Sequence, residues 1–287
     1  MSPSRLTIIL CTLCIILISS FSRMSHAGGR LIFAVHPYLP ATEIIERFSP
    51  LVKYLSKELG EPIDIHISRD YQTHIVEIGK DNVDIAYMGP ASYVKMVDMY
   101  GRKPLLARQA INGKTTFRGV IIVRKDSPLQ SLKDLVGKRF AFGDPESTMS
   151  HLVPRFMLWK EGVTIDNLGG YAFLENHHNV ALGVLVGDFD AGAVKEEVFD
   201  EYEKRGLREL VRTPELSEHV FVASNRLSPE KVKKLRDALY FLRDKEEGQD
   251  SMKSIKNTIT GMVPVKDEDY DNLRDILHAL KKIGAYK

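Results

Sequence analysis

The sequence predicts an α/β protein of two similarly built lobes joined by two crossovers, and three patterns predict it. Short apolar strands alternate with amphipathic helices from Leu31 onward, the plan of a parallel-rich sheet. Two segments repeat one design: a helix ending near Gly79 leads into Val83-Asp84-Ile85-Ala86, and a helix ending at Gly187 leads into Phe189-Asp190-Ala191-Gly192. Two apolar runs, residues 117–124 and 219–224, each reach a Ser-Pro helix start, Ser127-Pro128 and Ser228-Pro229. They fit a chain that crosses to a second lobe and returns.

Leu31 to Val35 reads as a strand closed by Pro37 and Pro40. Ile44, Ile45, Phe48, Leu51, Val52, Leu55 and Leu59 then recur at helical spacing, opposite Glu43, Glu46, Arg47, Lys53 and Lys57. Pro50 either kinks this helix or starts a second one capped by Ser49. Ile63, Ile65 and Ile67 alternate as a strand, and a short helix follows through Ile75 and Ile78. Residues 83–88 form the next strand, with Gly89-Pro90 opening a helix where the missing proline N–H does no harm. Past the middle, residues 171–174, 180–186 and 189–194 read as strand, helix and strand. Two C-terminal stripes, Val232, Leu235, Leu239, Leu242 and Tyr270, Leu273, Leu277, Leu280, pack back on the first lobe.

The first segment stands apart from the fold. Residues 6–18 are an apolar run behind Arg5, and Ser25-His26-Ala27 offers small residues for cleavage, so residues 1–27 read as a secretory signal. An uncleaved anchor is the competing reading, and Cys14 leaves a lipid anchor open. Removing 27 residues leaves 260 and takes away both cysteines, Cys11 and Cys14. Arg5 and Arg23 go too, so 40 basic residues become 38 against 38 acidic ones. That balance argues against a nucleic-acid partner, which needs a basic surface. A periplasmic or otherwise exported protein is the expectation.

The chain is organised around residues 139–153. Arg139-Phe140-Ala141-Phe142 reads as a strand stopped by Gly143-Asp144-Pro145. Ser147, Thr148 and Ser150 follow, ahead of a helical stripe of Met149, Leu152, Val153, Phe156 and Met157. Hydroxyls at a helix start have two uses. They cap the helix's own N–H groups, or, with those unpartnered N–H groups and the positive end of the dipole, they hold an anion. Both readings are open on these residues alone. Ser92 and Tyr93, after Gly89-Pro90, could offer a second helix start, though packing is the simpler role.

With these pieces in order the sequence resembles the substrate-binding proteins of phosphate/phosphite/phosphonate ABC transporters, across residues 30–280. The resemblance rests on Asp70-Tyr71, on Val83-Asp84-Ile85-Ala86-Tyr87-Met88-Gly89-Pro90, on Phe142-Gly143-Asp144-Pro145-Glu146-Ser147-Thr148, and on His177 followed by Gly187 and Asp190. It implies the two-lobed type II periplasmic binding fold, with residues 28–117 and 225–287 in one lobe and 118–224 in the other. It implies that Ser147, Thr148 and His177 hold the oxyanion, that Tyr71 helps close the pocket, and that Glu197 stands where an acid reads an amine-bearing ligand. Tyr87 and Gly89 of the first-lobe motif, Phe117, Met149 and Ser150 complete the expected ligand set.

Departures from the family pattern are informative. Met149 and Ser150 stand where a third hydroxyl and a glycine are usual, so Met149 offers only its backbone N–H. Phe117 lacks the hydroxyl of the usual second aromatic, and the region near His219 supplies no matching second acid. A preference for 2-aminoethylphosphonate is therefore not expected.

An enzyme is not expected. The chain has no Gly-x-Ser-x-Gly elbow, and His177-His178 lacks the spacing of a helical zinc pair. No cofactor or metal is implied. The resemblance implies a monomeric receptor delivering a small anion to a membrane permease; the same module feeding a membrane sensor is the alternative.

Overall fold

The computed structural model describes residues 29–286. The signal segment read from residues 1–27 lies outside the described residues. Among those described, no helix is long and apolar enough to cross a membrane.

The chain begins with β1 (Leu31–Val35), α1 (Ala41–Leu59), β2 (Ile63–Ile67), α2 (Tyr71–Gly79), β3 (Ile85–Met88), α3 (Pro90–Tyr100) and β4 (Leu105–Ile111). It crosses through β5 (Thr116–Phe117) into β6 (Gly119–Arg124), β7 (Arg139–Phe142), α4 (Val153–Lys160), β8 (Gly170–Phe173), α5 (His177–Leu185), β9 (Ala191–Lys195), α6 (Glu196–Glu203) and β10 (Leu207–Arg212). It returns through β11 (Leu216–Ser217) to β12 (Val220–Ala223), α7 (Pro229–Tyr240), α8 (Glu246–Ile255), β13 (Ile259–Val263) and α9 (Asp271–Lys282).

Two sheets result, ordered β13-β4-β12-β3-β1-β2 and β10-β6-β9-β7-β8, with β5 and β11 as a separate antiparallel ribbon. In that ribbon Phe117 pairs with Leu216 and Thr116 with Ser217, so the outgoing and returning chains run side by side between the sheets. The expected parallel-rich sheet is found only in part. β1 is parallel to β2 and β3, and β7 to β8 and β9, while β4, β6, β10, β12 and β13 make antiparallel pairs. Strands that follow a crossing between sheets are not βαβ units, so the handedness that makes those units parallel does not bind them. β12 is one of these: it lies between β3 and β4, not at the end of the second lobe as the expected boundary at residue 224 has it.

The repeated Asp has the same task in both lobes. Asp84 Oδ2 accepts the Ile32 N–H at 2.9 Å, and Asp190 Oδ2 accepts the Arg139 N–H at 2.8 Å. Each carboxylate thus ties the loop before a central strand to the start of its parallel neighbour. Alternation sorts the cores: Phe33 and Val35 bury on one face of the first sheet and Ala34 on the other, as Phe140 and Phe142 oppose Ala141 in the second.

Pro50 neither ends α1 nor splits it. A mid-helix proline has no N–H and frees the carbonyl four residues earlier; here that carbonyl, Glu46 O, accepts the Ser254 hydroxyl at 3.3 Å. Ser49, the alternative cap, donates back to Ile45 O instead. Ser228 does cap α7, accepting the Lys231 N–H at 3.3 Å. Ser127-Pro128 does not start a helix. The turn begins at Ser131, where Asp134 accepts both the Gln130 and Ser131 amides and leads a 3₁₀ turn, Leu132–Leu135.

Candidate functional site

The strand-to-helix junction after β7 does not enter an α-helix directly. Thr148–Leu152 forms a π turn, with Leu152 N–H reaching back five residues to Ser147 O at 3.0 Å, before α4 begins. The Thr148 and Met149 amides, first in this turn, have no acceptor among the described residues. Ser147 Oγ accepts the Ser150 N–H at 3.2 Å, and Thr148 Oγ1 accepts the Ala91 N–H at 3.1 Å. A hydroxyl has two acceptor lone pairs and one proton. With an amide on one lone pair, each hydroxyl keeps its proton for another acceptor, so capping does not use up the donor at either residue. Ala91 lies in the first turn of α3, after β3, so Thr148 also joins the two lobes across the groove.

Ser150 stands apart from the expected set. Its hydroxyl donates to Ala193 O, its side chain is fully buried, and it does not line the cavity. The other nine expected residues, Ser147, Thr148, Met149, His177, Tyr71, Tyr87, Gly89, Phe117 and Glu197, all line one cavity of about 230 Å³.

His177 opens α5, where Asn176 caps the helix by accepting the Asn179 N–H. Its ring Nδ1 accepts the Lys195 N–H at 3.0 Å. A ring nitrogen that accepts carries no proton, so the neutral imidazole bears its hydrogen on Nε2. Burial foremost, then the Lys195 charge, lowers His177 to about 3. This side chain is therefore a fixed, uncharged donor at neutral pH.

Opposite this turn stands a wall of rings. His36, Tyr87 and His219 lie nearly parallel, with centroids 5.5 Å apart for His36–Tyr87, 5.6 Å for His36–His219 and 5.2 Å for Tyr87–His219. Tyr71 meets His36 edge-on at 5.0 Å, and Phe117 tilts against His219 at 5.5 Å. Tyr87 donates its hydroxyl to Gln109 Oε1 at 3.1 Å, which leaves the Gln109 amide nitrogen buried and unpaired, as is the Ser92 hydroxyl. Both residues line the cavity.

Glu197 is not a free acid. Lys195 Nζ lies 3.0 Å from Oε2 and Lys256 Nζ 2.9 Å from it. Burial alone would raise its pKa, but the two lysines outweigh that and hold it at about 2. Lys256 precedes β13 and Glu197 follows β9, so this pair also spans the groove, as does Lys95–Glu146 at 2.5 Å.

His36, Tyr38, Gln109, Glu218 and His219 also line the cavity and were not among the expected residues. A positional signal for His36 was present. In α/β sheets ligands sit beyond the carboxyl ends of parallel strands, and His36 directly follows β1 as Gly89 follows β3. His219 carries no such signal, because local sequence does not show that β12 runs antiparallel between β3 and β4.

Comparison with known proteins places the chain. The family model described as "ABC transporter, phosphonate, periplasmic substrate-binding protein" matches residues 33–270. The phosphate-import protein PhnD of Mycolicibacterium smegmatis is 28% identical over 270 residues, covering 85% of this chain and 83% of its own. The probable ABC transporter phosphite binding protein PhnD1 of Prochlorococcus marinus is 25% identical over 256 residues, covering 83% and 85%. The solved structure of PhnD1 from that organism, in complex with methylphosphonate, superposes with a TM-score of 0.78 at 24% identity, covering 88% of this chain and 98% of the other, which speaks for the fold. From its parallel strand pairs to the extent of that match, the chain belongs to the family of periplasmic substrate-binding proteins of phosphonate ABC transporters.

Proposed function

We propose that this protein is an exported receptor that captures a small phosphorus oxyanion between its lobes and presents it to the permease of an ABC importer. One observation carries the reading. Two unpartnered amides, two hydroxyls that each accept one amide and keep a proton to donate, and the Nε2–H of His177 line one small cavity. Such donors stabilise an anion through charge-assisted hydrogen bonds without a bound cation. The ring wall would lie against the substituent on phosphorus. Phosphite, methylphosphonate and phosphate are the ligands of matching size and charge. The β5–β11 ribbon is the hinge in this reading, with β12 in the first lobe, and the groove-spanning Thr148–Ala91 bond closes over the guest.

Isothermal titration with phosphite, methylphosphonate, phosphate and sulfate tests it. One-site binding of at least one phosphorus oxyanion is expected, together with its loss in the Ser147→Ala, Thr148→Ala double variant. At a hundred times the dissociation constant the ligand should add about 2.7 kcal/mol of stability. Absence of binding to all the phosphorus oxyanions, or wild-type affinity in the double variant, overturns the assignment.

A further inference from the structure

The donors described above do not use the ring at the end of β1. His36 is buried, and its Nδ1 lies 3.1 Å from Tyr87 O, a carbonyl that also takes the His74 ring at 3.1 Å. A carbonyl only accepts, so Nδ1 carries the proton and Nε2 of the neutral ring holds a lone pair. Nε2 has no partner among the described residues, and His36 lines the cavity. It lies 3.8 Å from where a side chain on Gly89 would begin, as does His219 Nε2. Two residues further along, the Ala91 amide meets Thr148 Oγ1, so this lone pair borders the anion-holding turn.

The surroundings keep His36 uncharged. Tyr38, Tyr71, Tyr87 and His74 pack against it or close to it, His219 faces it with Nδ1 2.8 Å from the Glu218 carboxylate, and Lys195 stands nearby, paired with Glu197. Burial first, then His219 and His74, holds its pKa well below the ordinary range. Glu146 Oε2, also on the cavity, is a second buried acceptor without a partner. Five basic lining residues are set against four acidic ones, a balance that suits one negative charge better than two.

A buried acceptor facing a fully deprotonated oxyanion meets lone pairs only, and stays unpaired at a cost. Resting on the binding function proposed above, we propose that the protein takes its phosphorus oxyanion in the singly protonated form, with His36 Nε2 accepting the P–O–H proton. His36 is then a specificity-determining residue that separates phosphonates from sulfonates, which are tetrahedral anions of similar size with no proton to give.

The test is the dissociation constant of methylphosphonate and of methanesulfonate, measured side by side from pH 6 to pH 9. Methanesulfonate does not titrate in this range, so its profile reports any titration of the protein, the Glu218–His219 pair included, and the ratio removes it. At pH 6 methylphosphonate should bind at least about tenfold tighter, because a site built for a hydroxyl rejects an analogue that lacks it. Above the second dissociation of the ligand the ratio should fall by about tenfold per pH unit, following the protonated fraction. His36→Leu should bring the two ligands within about threefold; if that variant does not fold, the wild-type ratio decides alone. A ratio flat with pH, or methanesulfonate bound as well as methylphosphonate at pH 6, overturns this inference and leaves oxyanion capture standing. No binding of any phosphorus oxyanion would remove both.

Discussion

Replacing Thr148 by valine removes a single hydroxyl with two jobs. Its oxygen accepts the buried Ala91 N–H at 3.1 Å, and in the proposed binding mode its proton goes to the ligand. Valine keeps the branched shape and loses both. A buried amide left without an acceptor costs about 1–3 kcal/mol, and a hydrogen bond to a charged oxygen contributes about 1.5–3 kcal/mol. The first loss falls on the closed form, because an opened groove returns the amide to water; the second falls on the complex. Together they weaken binding by about 2.5–6 kcal/mol, or roughly two to four powers of ten in dissociation constant. Titration calorimetry with methylphosphonate or phosphite reads this directly. Thr148→Ser, which keeps the hydroxyl, should stay within about threefold of wild type. Valine binding within about threefold of wild type would show that neither the bridge nor the proton takes part in capture.

Buried neutral histidines make the fold sensitive to mild acid. Burial lowers His74 and His177 to about 3 and His151 to about 4, and holds His36 well below its usual value. The unfolded chain takes up protons near pH 6.5 that the fold refuses, so stability is complete above that pH and falls below it. At pH 5.5 each ring costs about 1.4 kcal/mol. Asp144, raised to about 6 chiefly by burial, works the other way by under about 1 kcal/mol. A fall in melting temperature of roughly 10–20 °C from pH 7.5 to pH 5.5 is expected, and a flat profile would refute the assigned neutral states. 2-Aminoethylphosphonate should bind no tighter than ethylphosphonate, because Glu197 is already held by Lys195 and Lys256; calorimetry showing a clear gain from the amine would contradict this. Gly143→Ala would place a carbon 2.6 Å from Ser150 Oγ and 2.8 Å from its Cβ. Pushing Ser150 off Ala193 O should cost about 1–3 kcal/mol in a denaturant melt and weaken ligand binding with it.

Local pattern accounts for a large part of the molecule. The α1 stripe, the helix starts at Pro90 and Ser228, and the junction at Ser147-Thr148 all depend on neighbours within a turn or two, which a linear sequence displays. The repeated Asp of the two lobes was visible as a pattern, but its task, holding the amide of a neighbouring strand, appears only where β1 meets β3 and β7 meets β9. Ser127-Pro128 and Ser228-Pro229 look alike in sequence, and tertiary packing of Leu129, Leu132 and Leu135 turned only the first away from a helix.

By itself, the sequence determined the α/β plan, the family pattern and the hydroxyl-bearing strand-to-helix junction at Ser147-Thr148, because periodicity, caps and turn residues act over short separations. The tertiary structure alone decided which nitrogen of His177 and of His36 carries its proton, since those partners lie 18 and 51 residues away. It also decided that Glu197 is neutralised by Lys256 and that Thr148 reaches across to Ala91. Donor and acceptor roles in a cleft are set by groups that the chain brings together only on folding.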